Sequence, residues 1–259
     1  MSKTPPAPRA ARGGALITGA ARRIGRALAI KAQAAGYDVA VHTRHRDAEA
    51  EALAASLAAM GGRAAVVAAD LSVDAELETL VERAGAAVGS LTLLVNSASQ
   101  FEDDRIGTLT PAGWDAHMGA NLRAPILLAQ AFAAQLPEDG EGLIVNILDQ
   151  RVLRPTPQFF SYALSKAALW HATRMLAQAL APRIRVNGIG PGPTLASIHQ
   201  SEADFAAEIA GLPLQRGASP EQIADALGYL IDARAVTGQM IAVDGGQHLA
   251  WKTPDIIDP

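Results

Sequence analysis

The stretch Ala15-Leu16-Ile17-Thr18-Gly19-Ala20-Ala21-Arg22-Arg23-Ile24-Gly25-Arg26 decides how this chain folds. Its first four residues form a short apolar run that reads as a buried strand. Gly19 and Gly25 frame a turn, and an amphipathic run from Ile24 to Ala35 follows. Strand, glycine turn and helix in that order aim backbone N–H groups and the positive helix end at one point, where a phosphate binds. Two glycines alone occur in many buried turns. Their place between a strand and a helix is what makes them a nucleotide-site motif.

The alternation continues along the chain. Asp38–Thr43, Arg63–Ala69, Leu91–Val95, Leu143–Leu148, Ile184–Ile189 and Met240–Val243 are short aliphatic runs suited to strands buried on both faces. Between them lie helix-like stretches: Ala48–Met60, Ala75–Val88, Ala112–Gln135, Phe160–Ala181 and Pro220–Ile231. Seven strands alternating with helices predict an α/β fold, a Rossmann-type doubly wound parallel sheet in a single domain over 14–259. An eight-stranded α/β barrel is disfavoured, because the strongest glycine motif follows the first strand and no eighth unit is visible. Residues 1–13, with Pro5, Pro6 and Pro8, read as a disordered tail. Leu195–Arg216 fits neither pattern, and residues 193–216 are expected to form a segment that closes over substrate.

Composition bounds the function. The 259 residues are 49% hydrophobic and 19% charged, carry a net charge of −4 and include no cysteine. Disulfides, thiol nucleophiles and cysteine-ligated metals are excluded. The charge argues against a nucleic-acid surface. No run reaches the roughly 18 apolar residues of a membrane span. A cytoplasmic protein acting on a small molecule is the expectation.

Two clusters carry chemistry. The first is at the end of the second strand, His42-Thr43-Arg44-His45-Arg46, where an NAD site would place an acid. Bases there, with Arg22 and Arg23 in the turn, fit a 2′-phosphate and predict NADP(H). A metal at His42 and His45 is not expected, since no third ligand accompanies them. The second is Tyr162-Ala163-Leu164-Ser165-Lys166, whose phenol and ammonium share a helix face. Bringing a phenol from a pKa of about 10 to 7 requires roughly 4 kcal/mol, and a lysine about 4 Å away supplies roughly that. Asn121 precedes Pro125 by four residues. Without a proline N–H the Asn121 carbonyl lacks its helical donor, so the helix should kink and leave that carbonyl free to hold a water.

Taken together, these motifs resemble the short-chain dehydrogenase/reductase family. The resemblance runs from Ala15 to Gly246. It includes Ala69-Asp70-Leu71, Val95-Asn96-Ser97-Ala98-Ser99, Asn121, Tyr162/Lys166, Arg185-Val186-Asn187, Gly190-Pro191-Gly192 and Val243-Asp244-Gly245-Gly246. It implies a nicotinamide cofactor and hydride transfer with Tyr162 as proton donor. It further implies that Lys166 holds the nicotinamide ribose, while Asp70 and Leu71 flank the adenine. Ser97 and Ala98 would line the middle of the cofactor, and Pro191, Gly192 and Thr194 its nicotinamide end. Asn121 would support a water linking the lysine to solvent, and a homotetramer is the family expectation.

Three departures narrow the resemblance. Arg23 replaces the usual middle glycine, Ser97 and Ser99 replace Asn and Gly, and Asp149 replaces the usual catalytic serine. These, with Ser99-Gln100-Phe101, look like the pteridine reductases and bacterial dihydromonapterin reductases. That branch implies NADPH-dependent reduction of a C=N bond in a dihydropterin, with Phe101 stacking on the pterin against the nicotinamide. Asp149 either opposes Lys166 as a carboxylate or, protonated, donates to a substrate nitrogen. Two alternatives stay open: a carbonyl reductase of 3-oxoacyl or other ketone substrates, and a non-catalytic NADP(H)-binding regulator.

Overall fold

The computed structural model describes residues 12–196 and 200–251. Seven strands form one sheet in the order β3-β2-β1-β4-β5-β6-β7, with every neighbouring pair parallel. The strands are β1 Gly14–Ile17, β2 Asp38–Thr43, β3 Ala64–Ala68, β4 Leu91–Asn96, β5 Gly142–Ile147, β6 Ile184–Pro191 and β7 Met240–Val243. The helices are α1 Arg23–Ala35, α2 Ala48–Ala59, α3 Asp74–Val88, α4 Pro111–Met118, α5 Ala124–Gln135, α6 Phe160–Leu180, α7 Glu202–Ala210 and α8 Pro220–Asp232. This is the doubly wound Rossmann-type fold that the alternation predicts. Ala15 and Ile17 of β1 pack into one core with α1, α2 and α8. Leu16 packs into the other, with α3, α5 and Phe132. Burial on both faces is why the strands read as unbroken apolar runs.

Three expectations are corrected. The tail was drawn to residue 13, but Arg12 donates its N–H to Gly36 O at 3.1 Å and Gly13 O accepts from Asp38 N at 3.0 Å. Residues 1–11 lie outside the described residues. The single helix over Ala112–Gln135 is α4 and α5 joined by a π turn, Gly119–Arg123. The break takes this form because Pro125 cannot supply an N–H, and the Ala124 N–H reaches back to Gly119 O instead. Leu195–Arg216 was read as irregular, yet it contains α7. Ser201 caps that helix by accepting the Asp204 N–H at 3.1 Å. None of its side chains is fully buried, and its nine residues fall inside the stretch read as irregular.

The sheet order reverses between β1 and β4, which opens a crevice at the carboxyl ends of the strands. Thr18 Oγ1 stitches its floor, accepting the Ser97 and Ala98 N–H groups at 2.9 and 3.0 Å. Gly25 lies where a Cβ would come within 2.0 Å of Gly19 O, so only glycine lets α1 pack against the turn. His42, expected among the cofactor ligands, is instead a buried strut beneath that turn. Its Nδ1 accepts the Gly19 N–H at 3.1 Å and its Nε2 donates to Ala69 O at 3.0 Å. Burial pushes the imidazole pKa down to about 4, the Ala69 carbonyl opposing.

Two outcomes follow from this turn. Gly25→Ala forces the turn and α1 apart, and denaturant unfolding should register a loss of about 1–3 kcal/mol. His42 binds its proton less readily folded than unfolded, so its contribution is whole above about pH 6.5 and is lost as pH falls through about 4. Between about pH 7 and pH 4 the wild type should lose about 3 kcal/mol more than His42→Gln in urea titrations.

Candidate active site

The crevice deepens into one cavity of about 750 Å³. Most of the predicted site residues line it. Gly19, Arg22, Arg23, Ile24 and Gly25 come from the glycine turn, and Ser97, Ala98, Ser99 and Phe101 from the loop after β4. Asp149, Tyr162 and Lys166 form its floor, with Pro191, Gly192 and Thr194 beyond β6. His42, Thr43, Arg44, His45, Arg46, Asp70, Leu71 and Asn121 are not part of this lining.

Tyr162, on the first turn of α6, is 7% exposed, and Lys166 one turn later is 3% exposed. Tyr162 Oη donates to Asp149 Oδ2 at 2.9 Å. Asp149 Oδ1 accepts the Arg151 N–H at 2.8 Å, and the Arg151 guanidinium lies 3.4 Å from Oδ2. Asp149 stands just past β5, so the strand end aims its carboxylate across the cavity floor at α6. Lys166 Nζ donates to Ile147 O at 2.8 Å and sits 5.8 Å from the Tyr162 ring centre.

Of the two opposing effects expected at the phenol, the one from Asp149 prevails over a pull from Lys166. Burial, followed by the Asp149 carboxylate, holds the Tyr162 pKa well above its ordinary 10. Burial also lowers the Lys166 ammonium to about 8, with Asp149 opposing. A buried phenol bonded to an anion keeps its proton at neutral pH. The arrangement can therefore donate a proton to a basic atom placed in the cavity.

The substrate end is aromatic. Phe101 stacks on Phe159 with ring centres 4.4 Å apart, and meets Tyr162 edge-on at 4.7 Å. The sequence reading missed Phe159, although its position just ahead of the Tyr162 helix is a usable signal. Its φ of 52° is a left-handed value that side chains rarely take. Arg151, whose guanidinium lies 5.4 Å from the Phe159 ring centre, was also missed. Phe205 and Glu208 line the cavity from the unrecognised α7. Arg23 takes a left-handed φ of 50°, and its guanidinium donates to Leu195 O and Ala196 O at 3.2 and 3.3 Å. It thereby ties the glycine turn to the segment over the cavity. Ser197, Ile198 and His199 of that segment lie outside the described residues.

Asn121 acts through its side chain. Its Oδ1 accepts from Gln100 N and Ser99 Oγ at 2.8 and 3.1 Å, and its Nδ2 donates to Gln100 O and Ser165 Oγ at 3.0 Å each. It clamps the loop carrying Phe101 to α6. The arginines of the glycine turn and of the stretch after β2 are exposed, and three of them pair with acids. Arg22 pairs with Asp47 and Glu49, Arg44 with Asp70, and Arg46 with Glu51. Ser72 and Arg44 hold the Asp70 carboxyl down to about 2, with burial opposing. Thr43 turns its hydroxyl to His45 O at 3.2 Å.

Comparisons with known proteins place the chain in a family. A family model described as enoyl-(acyl carrier protein) reductase matches residues 19–248. A short-chain type dehydrogenase/reductase of Picea abies is 31% identical over 248 residues, covering 90% of this chain and 91% of that protein. The 3-oxoacyl-[acyl-carrier-protein] reductase FabG of Staphylococcus epidermidis is 28% identical over 240 residues, covering 91% and 98%. The crystal structure of FolM, alternative dihydrofolate reductase 1, from Brucella canis complexed with NADP is 50% identical, with a TM-score of 0.92 over 96% of this chain and 99% of that one. With the glycine turn, the Tyr162/Lys166 pair and the sheet order in place, the chain belongs to the short-chain dehydrogenase/reductase family of oxidoreductases.

Proposed function

We propose that the protein is an NADPH-dependent reductase of a C=N bond in a dihydropterin. One observation carries this reading: the buried Tyr162 phenol is hydrogen-bonded to Asp149 rather than to a serine, beside the Phe101 ring. A ring nitrogen needs a proton as its carbon accepts hydride, and a pterin offers N–H donors that a carboxylate accepts. The 50% identity to a protein named as an alternative dihydrofolate reductase supports the same substrate class.

The crevice fits a dinucleotide. Gly19 lines the crevice with a φ of 63°, and a Cβ there would fall 2.9 Å from Ala98 Cα, so only glycine lets the turn lie this close to the loop after β4. Helix α1 has neither a side-chain cap nor an acid in its first turn, which leaves its positive end for an anion. Bound NADPH supplies the hydride. Gly19, Ile24 and Gly25 would hold its phosphates, Ser97 and Ala98 its middle, and Asp70 and Leu71 its adenine. Lys166 and Tyr162 would hold the nicotinamide ribose, with Pro191, Gly192 and Thr194 at the nicotinamide end. Arg22, Arg44, Arg46 and His45 would face the 2′-phosphate. The carboxylates that pair with these arginines form exposed ion pairs, which are weak enough to yield to a phosphate. Tyr162 then delivers its proton to the substrate nitrogen, and Asp149 keeps the phenol aimed.

Absorbance-monitored NADPH oxidation tests the substrate class, with a dihydropterin, an acetoacetyl thioester and a small diketone side by side. Turnover of the dihydropterin is expected, and Asp149→Ser should lower its kcat/KM by about 100-fold or more. Turnover of the carbonyl compounds alone would replace this reading with a 3-oxoacyl or ketone reductase. Tight NADPH binding without any turnover would point to a regulator. For the cofactor, the double change Arg44→Ala, Arg46→Ala should weaken NADPH by about 10- to 100-fold and leave NADH within about threefold, read by fluorescence titration.

A further inference from the structure

Two buried titratable side chains, His117 and Asp104, lie outside the cavity lining. They are 1% and 8% exposed and are joined through Ser161, which is fully buried. His117 Nδ1 lies 2.6 Å from Ser161 Oγ, and Ser161 Oγ donates to Asp104 Oδ2. On the far side of the ring, His117 Nε2 accepts the Glu102 N–H at 3.1 Å. These bonds fix the proton positions. Nε2 accepts, so it is bare. The Ser161 hydroxyl proton is spent on Asp104, so Nδ1 carries the imidazole proton and donates.

The chain of bonds does a structural task that α6 cannot do for itself. Phe159, ahead of that helix, has no capping side chain. Asp104 caps the helix from the loop after β4 instead. Its carbonyl accepts the Phe160 N–H at 3.0 Å, and its carboxylate Oδ1 accepts the Ser161 N–H at 2.9 Å. The loop that holds Glu102 and Asp104 also carries Phe101, and the turn that holds Ser161 also carries Phe159 and Tyr162. The His117 ring itself meets the Tyr162 ring edge-on at 6.1 Å.

We propose that the His117–Ser161–Asp104 chain is a positioning device. It sets the spacing between Phe101 and Tyr162, and protonation of His117 releases it. A second ring proton would turn Nε2 into a donor facing the Glu102 N–H, which breaks that contact and frees the loop. The groups around the ring are Asp104 and Glu102 from the loop, Ser161 and Tyr162 from α6, and the Gly113 carbonyl from α4. Burial lowers the His117 pKa from its ordinary 6.5, while the two carboxylates and the carbonyl oppose it. The intact chain is therefore the neutral-pH form, and release comes with acid. This rests on Phe101 and Tyr162 forming the walls of the substrate slot.

Two variants separate the halves of the device. His117→Gln keeps an acceptor for Glu102 N–H and cannot titrate, whereas His117→Ala keeps neither bond. In dihydropterin-dependent NADPH oxidation, His117→Ala should raise KM about tenfold near neutral pH with the NADPH Kd unmoved. His117→Gln should restore KM to within about threefold. The wild-type KM should rise as pH falls below the ordinary imidazole value of 6.5, and His117→Gln should abolish that rise. Amide exchange across residues 100–106, corrected for intrinsic rates, gives a readout independent of substrate. Protection of the Glu102 N–H should fall with acid in the wild type and hold in His117→Gln. If the wild type turns over no dihydropterin, the substrate reading fails while the exchange experiment still decides this one. An unchanged acid loss of protection in His117→Gln, or unchanged protection in His117→Ala, would overturn the proposal.

Discussion

The site depends on how two parallel strands end. Parallel strands cannot close through a hairpin, so the chain after β1 and the chain after β4 leave in opposite directions. Thr18 holds the gap at a fixed width by accepting both the Ser97 and the Ala98 N–H groups. His42 supports the same turn from below through the Gly19 N–H. The glycine cradle, the loop that carries Phe101 and the cavity between them all hang on these few buried bonds. Buried backbone donors left without such partners would each cost about 1–3 kcal/mol, which is why the turn is built so fully.

A second constraint is the buried floor of the cavity. Tyr162 and Lys166 are buried beside Asp149, so each charge is felt by the others more strongly than in water. Burial favours the neutral phenol and disfavours the ammonium. The Asp149 carboxylate acts in the same direction on the phenol and in the opposite direction on the lysine. A serine at position 149 would bring no charge, while burial, the largest cause of the raised phenol pKa, would remain. The aspartate thus adds to a setting that already keeps the phenol proton in place.

Positioning comes from side chains that never reach the cavity lining. Asn121 joins the Ser99–Gln100 segment to α6 with four hydrogen bonds. Asp104 caps α6 from the same loop. Asn96, Asn146 and Thr173 form a further buried polar ladder from β4 through β5 to α6. The Asn96–Asn146–Thr173 ladder is buried and the Asn121 side chain is too, so bonds to them are strong and gaps costly. They explain how a loop can hold an aromatic ring in register with a helix.

The sequence by itself determined the strand–helix alternation, the glycine turn and the Tyr162/Lys166 pair. Each rests on local periodicity or spacing, and a helix or strand shows these in consecutive residues. Position 149 and Phe101 were legible too, because a family pattern makes a departure visible. Tertiary structure decided the rest. His42 sits in a basic stretch that reads as a ligand patch, yet the pleat of β2 turns its ring under the turn. α7 went unseen inside the stretch read as irregular, and none of its side chains is fully buried. Phe159 and Arg151 join the site only because α6 and the turn after β5 fold onto one another. The sequence left open whether the Asp149 carboxylate opposes Lys166 at the phenol; burial and that carboxylate, thirteen residues away, raise the Tyr162 pKa only once the elements have packed. Spacing along one element is written in the chain; desolvation and contacts between elements exist only once the chain has packed.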